Sequence, residues 1–318
     1  MPNYPERKIY HDYRGKFFHT EYKNGVQIQR SYVWARPAPK LIDRLLLDAS
    51  FLLSSFIPAM TGWQPDVILT TSPSLPVCIP SRLLGWLYRC PVVLNLQDIL
   101  PDAAIQVGLL KNSLLIKLFK ILEKFAYRNA TKISVIADRF VENLEAKCVE
   151  YNKIIHIPNW VDTNFVRPIP KKDNYFRQNY NLQNKFVVLY SGNIALTQGL
   201  ETVVKVATRV RDITDITFVV VGHEEGLKQL QRECQKNRAE NVLLVPFQPR
   251  ECLPEMLAAA DLSLVVQKKN VVAFNLPSKI QVLMASGKAI IASVPKNGTA
   301  ASTGQRKLTD YCCGIISN

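Results

Sequence analysis

The sequence predicts an α/β protein of two domains, each built around a mainly parallel sheet. Apolar, β-branched segments alternate with amphipathic helical patterns along nearly the whole chain, which is typical of parallel sheets covered by helices. Several strand segments end at Gly, Asn or Asp, residues that favour turns. The length of 318 residues and the apolar content of 47% suffice for two buried cores and argue against disorder.

The first half is predicted to contain a strand at 26–34 and a long helix at 41–60, followed by strand–helix repeats. The repeats are strands at 66–71, 91–96, 133–136 and 153–157, with helices at 79–88, 111–129 and 138–147. Pro, Asn and charged residues interrupt this pattern over 167–184. We therefore place the domain boundary there, which gives domains 1–168 and 169–318.

The second half repeats the alternation of strands and helices, and two of its strands end at Gly. The strands are predicted at 186–190, 216–221, 242–245, 262–266 and 288–293, and the helices at 199–211, 225–235, 251–259 and 277–286. The two Gly turns occur in YSGNIALTQGLETVV and VVVGHEEGLKQL. Gly lets a backbone approach a ligand closely, and the N–H groups of a following helix favour anions. The turns suggest a phosphate-bearing ligand at the carboxyl ends of the strands, although many sheets use Gly there only to turn.

The chain is strongly basic, with a net charge of +14 and an isoelectric point near 9.5. Such charge is typical of proteins that meet nucleic acid, anionic lipid or phosphorylated substrates. Nucleic-acid binding is disfavoured because aromatic residues are not interleaved with the basic ones. An NAD-dependent oxidoreductase is disfavoured because no GxGxxG follows a strand with an acidic residue about 20 positions later.

One helix, at 111–129, concentrates positive charge on one face. Its cations are Lys117, Lys120, Lys124 and Arg128, and its apolar stripe, predicted for the opposite face, is Leu114, Leu118, Ile121, Leu122 and Phe125. Two interpretations are open. The cations form either a solvated face above a stripe that packs into the core, or a contact with a cytoplasmic membrane surface.

Cysteine usage and the first residues favour a cytoplasmic protein. The chain has no CxxC pair and no His cluster with metal spacing, so no metal site is expected. The cysteines scattered among apolar neighbours are predicted to be reduced core residues: Cys78, Cys90, Cys148, Cys234 and Cys252. No signal peptide is visible, and the apolar segment 49–58 is too short to span a bilayer, which predicts a buried or interfacial helix.

Eight segments, by their order and spacing, resemble the family 4 glycosyltransferases, and most closely the bacterial exopolysaccharide branch of the colanic acid type. They are MPNYPERKIY, PVVLNLQDILPDAA, KISVIADRFVENL, IPNWVDTNFVRP, VVLYSGNIALTQGLETVV, FVVVGHEEG, NVLLVPFQPRECLPEMLAAADLSLV and NLPSKIQVLMASGKAIIAS. The resemblance implies a GT-B fold, in which two Rossmann-like domains flank an active-site cleft. It also implies that the C-terminal domain binds a nucleotide diphosphate sugar, that the N-terminal domain binds the acceptor, and that the anomeric configuration is retained without a metal or bound cofactor.

The donor site is predicted first on the loop after the strand at 186–190. Transfer builds negative charge on the leaving phosphate, which N–H donors and a cation stabilise. Gly192 and Asn193 are predicted to supply N–H donors, and Gln198 and Gly199 complete this loop.

The rest of the donor site is predicted at the helix after Pro277 and at the second Gly turn. Ser278 and Lys279 begin that helix, where phosphate is favoured, so Lys279 is predicted to be the counter-ion and to lie close to the first loop. The alternative is an exposed helix lysine. His223 and Glu224 are predicted donor contacts, or else part of a surface turn.

Acceptor chemistry is predicted in the DILPDAA turn, at the carboxyl end of a parallel strand. Asp98 is the candidate catalytic residue, which orients or deprotonates the acceptor hydroxyl, unless it only caps the turn. Asp102 of the same turn and Asn159 of IPNW are predicted to line the cleft, although an ordinary turn Asn is equally consistent with the second position.

Several positions depart from the family pattern. Many members carry Arg and Lys where Asn193 and Gln198 stand, and a pair of Glu residues where Phe274 and Val282 stand. Many also carry a His near the position of Gln97. The usual cationic clamp and paired acids are therefore not carried over to this chain.

Both ends of the sequence also depart from the family. The chain starts after the strand, Gly-rich loop, helix and second strand with which members usually begin, and the pattern is lost after residue 301. We expect an N-terminal domain without its first βαβ unit, an incomplete C-terminal end, unpaired strand edges and exposed apolar faces. A misassigned start codon is a simpler account of the front end alone.

The resulting expectation is a glycosyltransferase at the inner face of the cytoplasmic membrane. It would move a sugar, for which the resemblance suggests GDP-fucose as donor, to a polyprenyl-diphosphate-linked oligosaccharide in exopolysaccharide biosynthesis. The nucleotide sugar is the only co-substrate expected. The alternative is an inactive remnant that keeps nucleotide-sugar binding.

Overall fold

A computed structural model describes residues 1–3, 8–37, 41–72, 75–106, 108–194, 198–268, 277–296, 298–301 and 313–317. The chain forms two compact units, Met1–Ile157 and Pro158–Asn318. The division lies earlier than the predicted 168/169 boundary. Val166 accounts for the difference, because its side chain is buried in the core of the second unit.

The first unit opens with an antiparallel hairpin, β1 (Phe18–Lys23) and β2 (Val26–Ser31), followed by the helix α1 (Leu41–Thr61). The strand β2 and the helix were predicted, but β1 was missed. Its sequence, FHTEYK, has no clean apolar alternation, and most of its residues are exposed. Asn24 and Gly25 adopt positive φ angles of 52° and 78°, which suits a tight two-residue turn.

A four-stranded parallel sheet follows, in the spatial order β3-β4-β5-β6. Its strands are β3 (Ile68–Thr71), β4 (Val92–Leu96), β5 (Lys132–Val135) and β6 (Ile154–His156), and its helices are α2 (Cys78–Leu87), α3 (Asp102–Gln106), α4 (Ser113–Asn129) and α5 (Asp138–Ala146). The predicted alternation of strands and helices is confirmed here. The short helix α3 was not predicted, because DAAIQ is too brief to show a helical period.

The edge of this sheet formed by β3 is apolar. In the part of the chain that the structure describes, β3 has no strand on its outer side, and Val67 and Leu69 are exposed there. Leu83 and Trp86 of the neighbouring helix α2 are exposed as well. These are the unpaired edge and bare apolar faces that the sequence led us to expect.

The helix α1 is longer than the apolar segment 49–58 considered in the sequence. Residues Ile42–Thr61 are long and apolar enough to cross a membrane by length and composition, and only 6% of that window is buried. Core helices and leader sequences meet the same criterion. The outer face of α1 is exposed, including Leu53 and Ile57. Of the two alternatives predicted from the sequence, a buried or an interfacial helix, the buried helix is therefore wrong.

The second unit holds a six-stranded parallel sheet in the order β12-β11-β10-β7-β8-β9. Its strands are β7 (Phe186–Ser191), β8 (Ile216–Gly222), β9 (Val242–Pro246), β10 (Leu262–Val266), β11 (Ala289–Val294) and β12 (Cys313–Ser317), and its helices are α6 (Tyr175–Asn179), α7 (Glu201–Arg209), α8 (Glu224–Asn237), α9 (Leu253–Ala258) and α10 (Lys279–Ala285). The helix α6 and the strand β12 were missed, and β12 shows that the sheet extends beyond residue 301.

The strand order of this sheet reverses between β7 and β10. From β7 the chain builds outward through β8 and β9, then returns to place β10 and β11 on the other side. Along β7, Val187 and Leu189 pack into one core cluster and Val188 and Tyr190 into another, so both faces of the strand are buried. Ligands of open parallel sheets bind at such a reversal, beyond the carboxyl ends of the strands.

The interpretation in which the whole apolar stripe of α4 packs into the core is wrong. Leu114, Leu118 and Ile121 are exposed, whereas Leu122 and Phe125 are partly buried. The buried residues of the helix are Glu123, Ala126 and Tyr127. The helix is apolar on more than one side, so the spacing of its leucines shows which residues share a face but not which face is covered.

The cysteines also differ from the prediction. All five lone cysteines are free, but only Cys78 is buried, and Cys148 is exposed. Burial raises the pKa of the Cys78 thiol to about 11, which keeps it in the neutral form.

Candidate functional site

The loop after β7 turns sharply at Gly192. The φ angle of this residue is 140°, a conformation that residues with a side chain rarely adopt. A Cβ atom placed there would lie 3.1 Å from Nζ of Lys279 and 3.4 Å from its Cε. Gly192 and Lys279 are therefore in contact, as the predicted site requires.

The N–H group of Gly192 is already hydrogen-bonded within the sheet. It donates to the carbonyl oxygen of Val221 at 3.0 Å and so continues the pairing of β7 with β8. The predicted role of Gly192 as an N–H donor is corrected accordingly. Gly192 contributes through its small size, because the absence of a side chain lets the Lys279 ammonium approach this turn.

Lys279 is the first residue of α10, and its ammonium nitrogen is buried. In the described part of the chain Nζ has no hydrogen-bond partner and no ion pair, although the rest of the side chain is only partly buried. Burial lowers the pKa of Lys279 to about 8. Most molecules therefore still carry the charge at pH 7, at a cost in folding free energy because an isolated buried ammonium is poorly solvated.

The ring of Tyr190 supports this cation. Nζ of Lys279 lies 3.8 Å from the ring centre, a distance at which the ring face attracts a cation. Tyr190 is fully buried in β7, and its hydroxyl donates to the carbonyl oxygen of Asn193 at 2.9 Å. One side chain thus fixes both the lysine and the loop. The sequence analysis missed it, although a lone Tyr in an aliphatic strand just before a Ser-Gly turn is a usable signal.

Gln198 and Gly199 complete the loop on its far side. Oε1 of Gln198 lies 3.4 Å from the same Tyr190 hydroxyl, and Gly199 has a φ angle of +65°. A Cβ atom on Gly199 would lie 3.1 Å from Cγ of Lys268, whose Nζ pairs with Glu201 at 2.8 Å. Lys268 is thus a neutralised cation, in contrast to Lys279.

The second Gly turn packs tightly beneath the first loop. A Cβ atom on Gly222 or on Gly226 would lie 2.5 Å or 2.6 Å from side-chain atoms of Ile194. His223 is the N-cap residue of α8, and its Nδ1 is buried without a partner among the described residues. These glycines make room for Ile194, which holds the two loops together.

Glu224 and Ser278 point elsewhere. Glu224 pairs with Lys228 at 2.7 Å, and both side chains are exposed, so its carboxylate is a surface group in the first turn of α8. Ser278 is exposed and makes no capping hydrogen bond to α10. Of the predicted donor residues, these two are not gathered around the Lys279 ammonium.

Two glutamines that the sequence analysis did not single out lie in the same part of the second unit. Gln267 directly follows β10 and is 4% exposed, and its Nε2 has no partner within the described ranges. Oε1 of Gln281, on α10, is also buried without a partner there. Buried polar groups without partners are uncommon, and a water molecule or a polar ligand would satisfy these two.

In the first unit, Asp98 follows β4 and is partly buried. Burial raises the pKa of its carboxyl, which makes the group a better proton acceptor near neutral pH than a solvated aspartate. The hydroxyl of Ser72 donates to the backbone carbonyl of Asp98 at 3.3 Å and holds the turn at the edge of β3.

Asp102 is committed to an internal network. Its carboxylate lies 2.7 Å from Nζ of Lys147, which also pairs with the buried Glu123. Tyr127 donates to Glu123 at 2.9 Å. This network links α3, α4 and the end of α5, so Asp102 has a structural role. Its contacts do not support the predicted role in acceptor binding.

Asn159, the other predicted cleft residue, is half-buried at the start of the second unit.

No group of three or more His, Cys, Asp or Glu side chains suited to a metal occurs among the residues that the structure describes. Two predicted positions, Phe274 and part of the first loop at 195–197, lie outside the described residues.

Comparisons with known proteins agree with this arrangement. The model of the family described as "Glycosyl transferase 4-like domain" matches residues 9–160, and that of "Glycosyl transferases group 1" matches residues 171–312. A curated relative, the putative colanic acid biosynthesis glycosyl transferase WcaI of Escherichia coli (strain K12), is 32% identical over 92% of this chain and 73% of its own length. The chain belongs to the GT4-like glycosyltransferases.

Further relatives of this glycosyltransferase are more distant. The probable glycosyltransferase WbjE of Pseudomonas aeruginosa is 24% identical over 74% of this chain and 57% of its own length. Among solved structures, Anabaena HepE with UDP-glucose has a TM-score of 0.63 at 17% identity, over 87% of this chain and 70% of that one. Sucrose-phosphate synthase from Thermosynechococcus elongatus has a TM-score of 0.68 at 16% identity, over 96% and 73%. The predicted GT-B fold, with two Rossmann-like domains, is confirmed.

Proposed function

We propose that this glycosyltransferase takes a sugar from a nucleoside diphosphate sugar and transfers it, with retention, to a lipid-linked oligosaccharide during exopolysaccharide synthesis. The observation that carries the proposal is the ammonium of Lys279, which is buried beside Gly192 and has no partner among the described residues. A diphosphate supplies the anion that this cation lacks. The colanic acid relative and the structure of HepE with UDP-glucose support a sugar nucleotide as donor.

Lys279 acts on the leaving group in this proposal. As the glycosidic bond to the diphosphate breaks, negative charge grows on the phosphate oxygens, and a nearby cation in a poorly solvated place stabilises that charge strongly. Tyr190 holds the loop and the lysine in position, so little reorganisation accompanies the reaction. The nucleotide sugar is the only co-substrate that the proposal requires.

Asp98 is proposed to act on the acceptor. Its carboxyl accepts or orients the proton of the attacking hydroxyl, a task helped by a pKa raised through burial. We propose a polyprenyl-diphosphate-linked acceptor at the inner face of the cytoplasmic membrane and GDP-fucose as the first donor to test, in line with the colanic acid resemblance.

Calorimetric titration with GDP-fucose, UDP-glucose and other nucleotide sugars tests donor binding. One of them is expected to bind the parent protein and to bind the Lys279→Met variant much more weakly. Incubation with the preferred donor and a polyprenyl-diphosphate-linked acceptor then tests transfer, and NMR of the product reports the anomeric configuration. Binding without transfer would instead favour an inactive nucleotide-sugar-binding protein, and the absence of any binding would reject both.

A further inference from the structure

The outer side of α4 carries an apolar stripe in contact with solvent. The exposed fractions of Leu114, Leu118 and Ile121 are 76%, 50% and 57%. Their spacing of four and then three residues places them in one line along a helix of 17 residues, about 25 Å long. A line of large apolar side chains on one helix face indicates that something apolar covers it.

A row of cations runs beside this stripe. Lys117, Lys120, Lys124 and Arg128 recur every three or four residues and are all exposed. In the described chain none of them forms an ion pair with a carboxylate, so their charges are available to an external anion. The two rows are neighbours on the solvent side of the helix, not opposite faces as the sequence suggested.

Three of these cations, Lys120, Lys124 and Arg128, line a hollow of about 600 Å³ between α4 and the chain that follows α5. Its ionisable lining comprises five cations and three carboxylates: Lys120, Lys124, Arg128, Lys147, Lys153, Asp102, Glu123 and Glu150. Lys147 pairs with both Asp102 and Glu123, so one cation is shared between two carboxylates. The remaining balance is positive, and Nζ of Lys153 is held at the rim by the carbonyl oxygen of Arg128, at 3.1 Å.

We propose that α4 is the surface by which the protein rests on an anionic bilayer. The apolar stripe enters the headgroup region, the cation row lies against the lipid phosphates, and the hollow accepts one phosphorylated headgroup. An apolar line flanked by several cations is the pattern of helices that lie in a membrane interface, and the charge favours a bilayer over a neutral protein partner. The inference rests on the proposed function in one respect, because a lipid-linked acceptor requires the enzyme to work at a membrane.

Co-sedimentation with vesicles measures this contact without any transfer reaction. The parent protein is expected to bind vesicles of phosphatidylcholine with 30% phosphatidylglycerol, roughly the anionic content that gives cytoplasmic surfaces their negative potential, and to bind pure phosphatidylcholine poorly. Binding is expected to weaken as salt is raised, since screening reduces the attraction. Lys120→Gln/Lys124→Gln and, separately, Leu118→Ser/Ile121→Ser are each expected to weaken vesicle binding by about ten-fold or more.

Matched controls change equivalent residues elsewhere. Lys205→Gln/Lys236→Gln removes two exposed lysines of the second unit, and Leu53→Ser removes an exposed leucine of α1. Both are expected to bind vesicles like the parent. Circular dichroism and nucleotide-sugar titration on every variant show that the fold and the donor site are intact.

Three results would overturn the inference: no binding of the parent to anionic vesicles at low salt, equal binding to neutral vesicles, or a loss caused by the controls and not by the α4 variants. Loss with Leu53→Ser alone would move the contact to α1. A protein that binds nucleotide sugars but no vesicles retains the proposed function and loses this inference, so the two failures are distinguishable.

Discussion

The ammonium nitrogen of Lys279 lies 3.8 Å from the centre of the Tyr190 ring and is shielded from solvent. The cation–π interaction with the ring replaces part of the stabilisation that water would provide, on the order of 1–2 kcal/mol for a desolvated cation. The remainder is uncompensated, as the lowered pKa of Lys279 shows. A site that is destabilised when empty and completed by an anion favours ligand binding at the expense of stability.

Lys279→Met should therefore separate stability from binding. Removing an unpaired buried cation while keeping most of its volume is expected to raise the free energy of unfolding by about 1–3 kcal/mol. The same change is expected to weaken nucleotide-sugar binding by about 1–3 kcal/mol, the range for a charge-assisted hydrogen bond. Urea unfolding and calorimetry measure the two effects.

Lys288→Met is the matched control for that experiment. The Lys288 ammonium also lies in the second unit, but it donates to the carbonyl oxygen of Ala258 at 2.9 Å. Its removal is expected to lower stability and to leave donor affinity unchanged. If both variants lost stability and neither lost affinity, Lys279 would be an ordinary structural lysine.

Donor affinity should depend on pH through Lys279. The pKa of its ammonium is about 8 in the free protein and is raised by a bound diphosphate, so binding takes up a proton. Affinity is expected to be constant below about pH 7 and to fall as pH rises through 8. Calorimetry in two buffers with different ionisation enthalpies detects the proton, and the Lys279→Met variant should show neither effect.

The same group has the opposite influence on stability. In the unfolded chain the pKa of this lysine returns to its ordinary 10.5, so the unfolded state binds more protons between pH 8 and 10.5. The free energy of unfolding of the parent is thus expected to rise relative to Lys279→Met over that interval, by about 3 kcal/mol at most. A parent-minus-variant difference that stays flat with pH would contradict the assigned burial of the charge.

Much of the second unit follows from its sequence because its strands are unusually clear. FVVLYS and ITFVVVG are buried on both faces and read as continuous apolar runs, so their ends, and hence Gly192 and His223, were located correctly. That Lys279 contacts Gly192 was a prediction from the rule that carboxyl ends of parallel strands share one edge. Sequence alone did not show that its charge is buried, because burial depends on packing around Tyr190.

The incorrect predictions have equally specific causes. Asp102 looked available because its partner Lys147 is 45 residues away in the chain, beyond the reach of any local pattern. The interpretation that placed the α4 stripe in the core failed because leucine and isoleucine, as in Leu114, Leu118 and Ile121, are typical of cores, and the sequence does not show what covers a helix face. Both errors concern tertiary partners, and neither concerns the type of secondary structure.

Gly192→Ala should damage the site without removing any of its functional groups. The φ angle of 140° is strained for alanine, and the new Cβ atom would lie 3.1 Å from Nζ of Lys279, which must move. We expect a loss of about 1–3 kcal/mol in stability and a clear loss of donor affinity. Gly15→Ala is the control, because its φ angle of 74° is also positive but nothing lies within 4 Å of the added atom. It should lose stability only, and equal affinity losses in both variants would point to a global effect.

The Asp102–Lys147–Glu123 network should be a source of stability in the first unit. Lys147→Met leaves Glu123, which is 5% exposed, without its counter-charge, and an uncompensated buried carboxylate is expected to cost about 3–5 kcal/mol. Adding Glu123→Gln should recover part of that loss, since the amide carries no charge to solvate. Arg139→Gln, which breaks the exposed pair with Glu142, is the comparison and should cost less than about 1 kcal/mol. Urea unfolding ranks the three variants, and equal costs for Lys147→Met and Arg139→Gln would mean that water reaches Glu123 and that Asp102 is free to take another role.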